Sequence, residues 1–204
     1  MRRHTTLTLA VLCLAPAAVA ATRAGEPLAL QPQSKLWIEG SSNVRDFTCT
    51  STALEARVQS SVPGAVSAVL AGTKAVESAE LSVPAASLDC KNGKMNEHML
   101  KALKAKEYPT IGFRITSYEV AKAAPGVTGT AVGELTLGGV KKTITVAAHA
   151  TPETAGAMRL TGAYQLKMTD FGLKPPSLMM GTMKVNENVK VGFDLILKGE
   201  APKT

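Results

Sequence analysis

The sequence predicts an all-β domain that contains one short helix. Most of the chain alternates apolar and polar residues with a period of two, which is typical of half-buried strands. Only the stretch of residues 90–113 has helical spacing, where Met95, Met99 and Leu103 share one face of about three turns. A Gly-Gly pair at 138–139 joins two alternating segments, which is a strong signal for a two-residue antiparallel hairpin.

The first 20 residues have the pattern of a secretory signal peptide. Arg2 and Arg3 supply the basic start, an apolar stretch follows, and Ala-Val-Ala at 18–20 is a cleavage motif. A transmembrane helix is the alternative, but the apolar stretch is short for one. We therefore expect a cleaved signal at residues 1–20 and a periplasmic or secreted protein.

Export also affects the expected oxidation state of the cysteines. Cys13 is removed with the signal, so Cys49 and Cys90 remain in a compartment that permits disulfides. We expect these two residues to pair, and closing a loop of this length would stabilise the fold by about 4 kcal/mol in the chain-entropy model. Two buried free thiols are the alternative.

The folded domain is expected over residues 34–204, after a leader of small residues at 21–33 that is extended or mobile. A change of phase at residues 51–54 predicts a bulge in the second strand. Residues 59–73 contain Pro and Gly and are expected to form a loop or a weak strand. The expected strands are residues 35–39, 45–58, 76–83, 110–120, 127–137, 140–150, 158–168 and 189–198.

Strands that are apolar on one side can close into a barrel or stack as two sheets. Short connections favour an antiparallel up-and-down order, with the helix docked on the sheet by its apolar face. The apolar faces carry many Ala, Gly and Val residues, and the chain has only eight aromatic residues. An eight-stranded barrel whose inner face carries such small side chains could hold one small ligand. A sandwich with a packed core is the alternative, and composition alone favours neither of the two.

Charge and motif content argue against nucleic-acid binding and catalysis. Loss of Arg2 and Arg3 lowers the formal charge from +7 to +5, and the remaining basic residues are scattered. Such a surface has at most a transient attraction to anionic membranes. His98 and His149 are far apart in the sequence, and no metal-ligand or nucleophile motif is present. We therefore expect no catalytic residue, no bound metal and no cofactor, and the oligomeric state stays open.

Three segments resemble the YceI-like family of exported bacterial proteins. They are MLKALK at residues 99–104, YPTIGF at 108–113 and the strand-turn-strand segment GELTLGGVKK at 133–142. The resemblance covers residues 34–198, and the order of the expected elements fits it. It implies a lipocalin-like antiparallel barrel with a helix across one end. It also implies that some members hold a polyisoprenoid or an isoprenoid quinone inside the barrel.

The chain departs from the family pattern in SSNVRDF at residues 41–47, in TDFGLKPP at 169–176 and in its cysteine pair. We therefore expect a divergent branch of the family.

Together these observations predict an exported binding protein that carries or sequesters an apolar chain-like ligand without catalysis. The expected ligand is a polyisoprenoid, an isoprenoid quinone or a fatty-acid derivative. The alternative is a ligand-free structural or stress-associated protein whose barrel is filled by side chains. The residues expected to line the cavity come from the helix and from inward strand faces: Met95, Met99, Leu103, Phe113, Ile115, Leu135, Leu137, Tyr164, Leu166, Phe193 and Leu195.

Overall fold

The structure is a computed structural model that describes residues 25–178 and 182–199. The signal peptide expected at residues 1–20 lies outside the described residues. Within these two ranges, no helix is both long and apolar enough to cross a membrane.

The described residues are mainly β-structure. Two α-helices are present among them, α1 (Ala65–Leu70) and α2 (Gly93–Ala102). The strands are β1 (Pro27–Leu30), β2 (Lys35–Ser41), β3 (Asp46–Ser51), β4 (Glu55–Ser60), β5 (Val76–Pro84), β6 (Thr110–Ala123), β7 (Gly126–Leu137), β8 (Val140–Pro152), β9 (Ala157–Lys167), β10 (Ser177–Leu178), β11 (Met183–Lys184) and β12 (Asn188–Gly199). All strands except β10 and β11 belong to one antiparallel sheet.

The sheet is closed into a barrel by β12. Its middle pairs with β2, from Lys190 opposite Glu39 to Asp194 opposite Lys35, and its end pairs with β1. On their other sides, β2 pairs with β3 and β1 pairs with β4. The two short strands β1 and β2 therefore occupy one position around the barrel, and β3 and β4 together occupy the next position. β5 to β9 follow in order, and β9 pairs with β12 along its whole length. The predicted eight-stranded antiparallel barrel is confirmed, and the two-sheet sandwich is wrong.

The segment expected to be a leader contributes a strand of the barrel. Leu28 of β1 is only 2% exposed, and it pairs with Val58 on one side and Gly199 on the other. A four-residue strand is too short for its alternation to stand out in the sequence. The barrel therefore begins at Pro27 rather than at residue 34.

Two further expectations are corrected near the start of the barrel. The strand expected over residues 45–58 is interrupted, and the change of phase marks the break between β3 and β4 rather than a bulge. The break allows one part to pair with β2 and the other with β1. The loop or weak strand expected over residues 59–73 contains α1, whose six residues span less than two helical turns and leave little periodicity to detect.

The two helices cover opposite ends of the barrel, named here the α1 end and the α2 end. α1 lies between β4 and β5 and buries Ala65, Val66 and Val69 against the strands. The strand residues of this cluster are Leu28, Val58, Val127, Ala150, Met158 and Leu197. At the α2 end, Leu103 follows the helix and is buried with a second set of residues, which includes Leu135, Leu137, Leu166, Met168, Phe171, Leu173 and Val189.

The helix and the Gly-Gly hairpin that the sequence predicts are both present. α2 starts at Gly93, and the side chain of Asn92 caps it by accepting a hydrogen bond from the backbone N–H of Met95 at 3.0 Å. The hairpin between β7 and β8 turns at Gly138 and Gly139, which have φ values of 56° and 82°. These left-handed conformations are the ones that a primed two-residue turn requires.

Candidate functional site

A cavity of about 800 Å³ lies inside the barrel. Its wall includes Met95 and Met99 of α2 at one end and Val69 of α1 at the other. This volume lies within the range of about 300–1,000 Å³ that is common for ligand pockets. The interior is therefore not filled by side chains, and the alternative of a filled barrel does not fit this structure.

The residues that were expected to line a cavity all lie on its wall. Alternation along each strand turns every second side chain inward, and the spacing of four along α2 does the same for its apolar face. These residues are Met95, Met99, Leu103, Phe113, Ile115, Leu135, Leu137, Tyr164, Leu166, Phe193 and Leu195. Contact of each of them with a ligand remains a prediction.

Other parts of the wall were not expected from the sequence. Val58 of β4 alternates with its neighbours and could have been found from that pattern, whereas Val69 belongs to the short helix α1. Arg45, Lys94 and His98 also line the cavity, at the α2 end. A search for apolar periodicity does not find these residues because their side chains are polar.

Glycines allow the aromatic residues of the wall to leave the cavity open. Phe113 covers Gly133 of the neighbouring strand, where an added Cβ would lie 2.6 Å from the Cζ atom of the ring. Phe193 covers Gly162, its direct cross-strand partner, in the same way. Because these glycines have no side chain, each ring can lie against the wall instead of projecting across the interior.

Cys49 and Cys90 form a disulfide, as predicted. The bond joins β3 to the segment just before α2, and both cysteines are buried and line the cavity. The Cys90 sulfur also lies 3.7 Å from the Met99 sulfur of α2. The disulfide therefore ties the start of α2 to the barrel wall.

Polar contacts hold the start of α2 in place as well. The Asp89 carboxylate accepts a hydrogen bond from the Asn96 side-chain amide at 2.9 Å and pairs with the Lys91 ammonium at 3.0 Å. The Asn96 hydrogen bond, together with those from Lys91, lowers the pKa of Asp89 to about 2. Asn96 in turn accepts a hydrogen bond from the backbone N–H of Cys90 at 2.8 Å. Asp89 is therefore ionised at neutral pH and anchors the helix on its disulfide side.

The cavity reaches the surface at the α2 end, at an opening that we call the mouth. Arg45, Asn92 and Lys94 are exposed and also form part of the cavity wall there. Arg45 ends the turn between β2 and β3, and Asn92 and Lys94 lie at the start of α2. A ligand could therefore enter between this turn and the helix.

A second, lateral opening lies between β5 and β6. These strands pair only from Glu80 opposite Arg114 to the end of β5, and they separate toward the α1 end. Across this separation, the Tyr118 hydroxyl accepts a hydrogen bond from the backbone N–H of Val76 at 2.9 Å. Glu119 is exposed and lines the cavity at this point.

The arrangement offers binding surface and little reactive chemistry. In residues 25–178 and 182–199, no three or more His, Cys, Asp or Glu side chains gather as a metal site would require. His98 lies on the cavity wall at the α2 end, whereas His149 lies on β8 close to the α1 end. The structure thus does not bring the two histidines together.

Comparison with known proteins gives a family and several similar folds. Residues 37–197 match the family described as YceI-like domain, and no curated protein matches the chain. The solved structure of BcnA from Burkholderia cenocepacia has 22% identity and a TM-score of 0.64, with 82% of this chain and 99% of that chain covered.

Two other solved structures are similar over most of their length. A polyisoprenoid-binding domain from Saccharophagus degradans, implicated in plant cell wall breakdown, has 14% identity and a TM-score of 0.61, with 87% of this chain and 100% of that chain covered. The Campylobacter jejuni YceI protein has 16% identity and a TM-score of 0.55, with 97% of this chain and 94% of that chain covered. At these identities the likeness shows the fold alone. Because the family match itself spans residues 37–197, which include nearly all of the barrel, the chain belongs to the YceI-like family.

Proposed function

We propose that the protein is an exported, non-catalytic binding protein that holds one apolar chain-like molecule in its barrel. The observation that carries this proposal is the cavity of about 800 Å³, whose wall is mostly apolar and extends from α2 to α1. A long apolar interior suits a chain, and the candidate ligands are a polyisoprenoid, an isoprenoid quinone and a fatty-acid derivative. The description of the Saccharophagus degradans domain as polyisoprenoid-binding supports this ligand class.

The energetics permit tight binding of a chain. Each CH₂ group that leaves water contributes about 0.8 kcal/mol, whereas association costs about 4–15 kcal/mol of lost freedom. A chain of about five to twenty buried carbons therefore offsets the cost of association, and a shorter apolar molecule does not.

The proposal assigns no reaction to the cavity. Both cysteines are held in the disulfide, so neither provides a free thiol. His98 is the one histidine on the cavity wall among the described residues. Within those residues it makes no hydrogen bond with a nucleophilic side chain or with a carboxylate. The periplasmic or secreted location is part of the proposal and rests on the signal-like residues 1–20.

The test is to identify and then replace the bound molecule. The protein is purified from its export compartment, extracted with organic solvent, and the extract is analysed by mass spectrometry. The delipidated protein is then titrated with an isoprenoid quinone and with a fatty acid by calorimetry. We expect one chain-like apolar molecule per barrel and saturable rebinding of at least one probe. An empty extract together with no saturable binding would contradict the proposal.

A further inference from the structure

The charged residues on the cavity wall are separated by sign. Among the lining residues that the structure describes, the basic side chains are Arg45, Lys94 and His98, and all three lie at the α2 end. The acidic ones are Glu80 and Glu119, at the lateral opening between β5 and β6. The rest of the wall is mainly apolar. The cavity therefore has a basic end and an acidic side.

Glu80 and Glu119 are each paired with a basic neighbour, whereas Arg45 and Lys94 have no ion-pair partner among the described residues. Glu80 pairs with Arg114 at 3.2 Å, and Glu119 pairs with Lys74 at 2.6 Å. Neither Arg45 nor Lys94 makes an ion pair with any residue in the described part of the chain. The positive charge at the mouth is thus available to a ligand.

The backbone holds these basic side chains at the rim of the apolar cavity. Lys94 and His98 are four residues apart on α2, so they lie on one face, next to the stripe of Met95 and Met99. The long side chain of Lys94 can lay its methylene groups on the apolar wall and keep its ammonium group at the surface.

Arg45 is positioned from the opposite side of the mouth by a fixed turn. The Ser42 hydroxyl donates a hydrogen bond to the Arg45 carbonyl at 2.9 Å and accepts one from the Arg45 N–H at 3.1 Å. The Asn43 side chain links the same turn to the backbone of Lys184 at 2.9 Å. The turn is therefore held in place, and the guanidinium of Arg45 makes no ion pair within residues 25–178 and 182–199.

We propose that the protein selects chain-like molecules with an anionic head group, a carboxylate or a phosphate, and that the head group binds at the mouth between Arg45 and Lys94. The apolar chain then fills the barrel toward α1, so this inference rests on the proposed function. Arg and Lys donate charge-assisted hydrogen bonds to such oxyanions, and Arg does so in a bidentate manner. The cations at the lateral opening, Arg114 and Lys74, are already paired with Glu80 and Glu119, so the unpaired positive charge at the mouth sets the orientation of the ligand.

The test compares ligands that share one chain and differ only in the head group. Delipidated protein is titrated at low ionic strength with hexadecanoic acid, hexadecyl phosphate and hexadecan-1-ol. We expect at least one of the two anionic ligands to bind about tenfold more tightly than the alcohol, and the preference to shrink as salt is added. The anionic ligand that binds more tightly distinguishes a carboxylate site from a phosphate site.

The double variant Arg45→Gln/Lys94→Gln tests the site itself. It should bring the affinities for the anionic ligands to within about twofold of that for the alcohol, so that the preference for a charged head group is lost. The double variant Lys101→Gln/Lys106→Gln removes the same charge from exposed positions outside the cavity wall, and it should keep the wild-type preference. Melting temperatures close to that of the wild type would establish that both variants are folded.

The outcomes separate this inference from the proposed function. Equal affinity of the wild type for the anionic ligands and the alcohol would overturn the head-group inference and leave the binding function in place. A preference that survives in Arg45→Gln/Lys94→Gln would overturn the assignment of these two residues. Failure of all three ligands to bind would overturn both the inference and the proposed function.

Discussion

The ring of Phe47 covers Gly40, which is its direct cross-strand partner on β2. The three atoms nearest to a Cβ built on Gly40 all belong to that ring. Phe47 lines the cavity near the mouth, so this pair helps to decide how much space is left for a ligand there. Phe193 likewise covers its direct cross-strand partner Gly162, whereas Phe113 covers Gly133 diagonally, because Gly133 lies opposite Ile115.

Replacing Gly40 with Ala should narrow the cavity near its mouth. The added methyl group would displace the Phe47 ring from the wall, and we expect the affinity for hexadecanoic acid to fall by about threefold to tenfold. Calorimetric titration of the delipidated variant measures the effect. The companion Gly40→Ala/Phe47→Leu should recover most of the affinity. Gly93→Ala is the control, because a Cβ there meets nothing within 4 Å and Gly93 does not line the cavity, and a similar loss in that variant would contradict the explanation.

Leu166→Trp should reduce ligand uptake by filling the interior. Leu166 is 5% exposed and lines the cavity, so a larger ring at this position must occupy ligand space. We expect the amount of bound ligand to fall at least several-fold, with an overpacking cost of about 1–3 kcal/mol in the free energy of unfolding. Gln165→Trp places the same ring on the exposed side of β9 and should bind as the wild type does. If the wild type, Leu166→Trp and Gln165→Trp bind equal amounts of ligand, position 166 does not face the ligand.

Acid should weaken the anchoring of α2 through Asp89. Its pKa is about 2, mainly because of the Asn96 hydrogen bond, and an aspartate in the unfolded chain titrates near 3.8. A lowered pKa in the folded state stabilises the fold above the unfolded value, and this stabilisation is lost as the pH falls toward 2. Wild type should therefore melt at a higher temperature than Asp89→Asn at neutral pH, and the difference should vanish near pH 2.

Removing Asn96 provides the check on this assignment. In an Asn96→Ala background, the substitution Asp89→Asn should change the melting temperature less than it does in the wild type, because the main hydrogen bond is already gone. A melting difference between wild type and Asp89→Asn that does not vary with pH would contradict the role of the carboxylate.

The disulfide should contribute substantially to stability. Cys49 and Cys90 are 41 residues apart, and closing a loop of that length stabilises the folded state by about 4 kcal/mol in the chain-entropy model. Cys49→Ala/Cys90→Ala and the reduced wild type should therefore lose similar amounts of unfolding free energy in urea. Alkylation of the unreduced, denatured protein should add no tags. Two added tags would show that the cysteines are free in the isolated protein.

The sequence predicted the long elements well because each repeats its pattern over many residues. β9 alternates over eleven residues, so Tyr164 and Leu166 could be assigned to the inner face from the sequence alone. β1 and α1 have four and six residues, and their patterns are too short to separate from loops. Both depend on tertiary contacts, such as those of Leu28 with strands at either side.

The basic rim of the cavity could not be predicted for a different reason. Arg45 and Lys94 come from a turn and from the first turn of a helix, and only the closure of the barrel brings them to one opening. Likewise, nothing local in the sequence indicates that Gly40 lies beneath Phe47. That relationship depends on the register between β2 and β3, which the length of the turn between them sets.

Because α1 covers one end of the barrel, it limits the length of the ligand chain that the cavity can hold. A chain that enters tail first through the mouth can advance only until its end meets Val69, because α1 covers the far end. In a homologous series of fatty acids, affinity should therefore rise about fourfold with each added CH₂ and then level off once the tail reaches α1. Val69→Ala should move that plateau to a longer chain. The chain length preferred by the protein would then be set by the six residues of α1, at the opposite end of the barrel from the mouth.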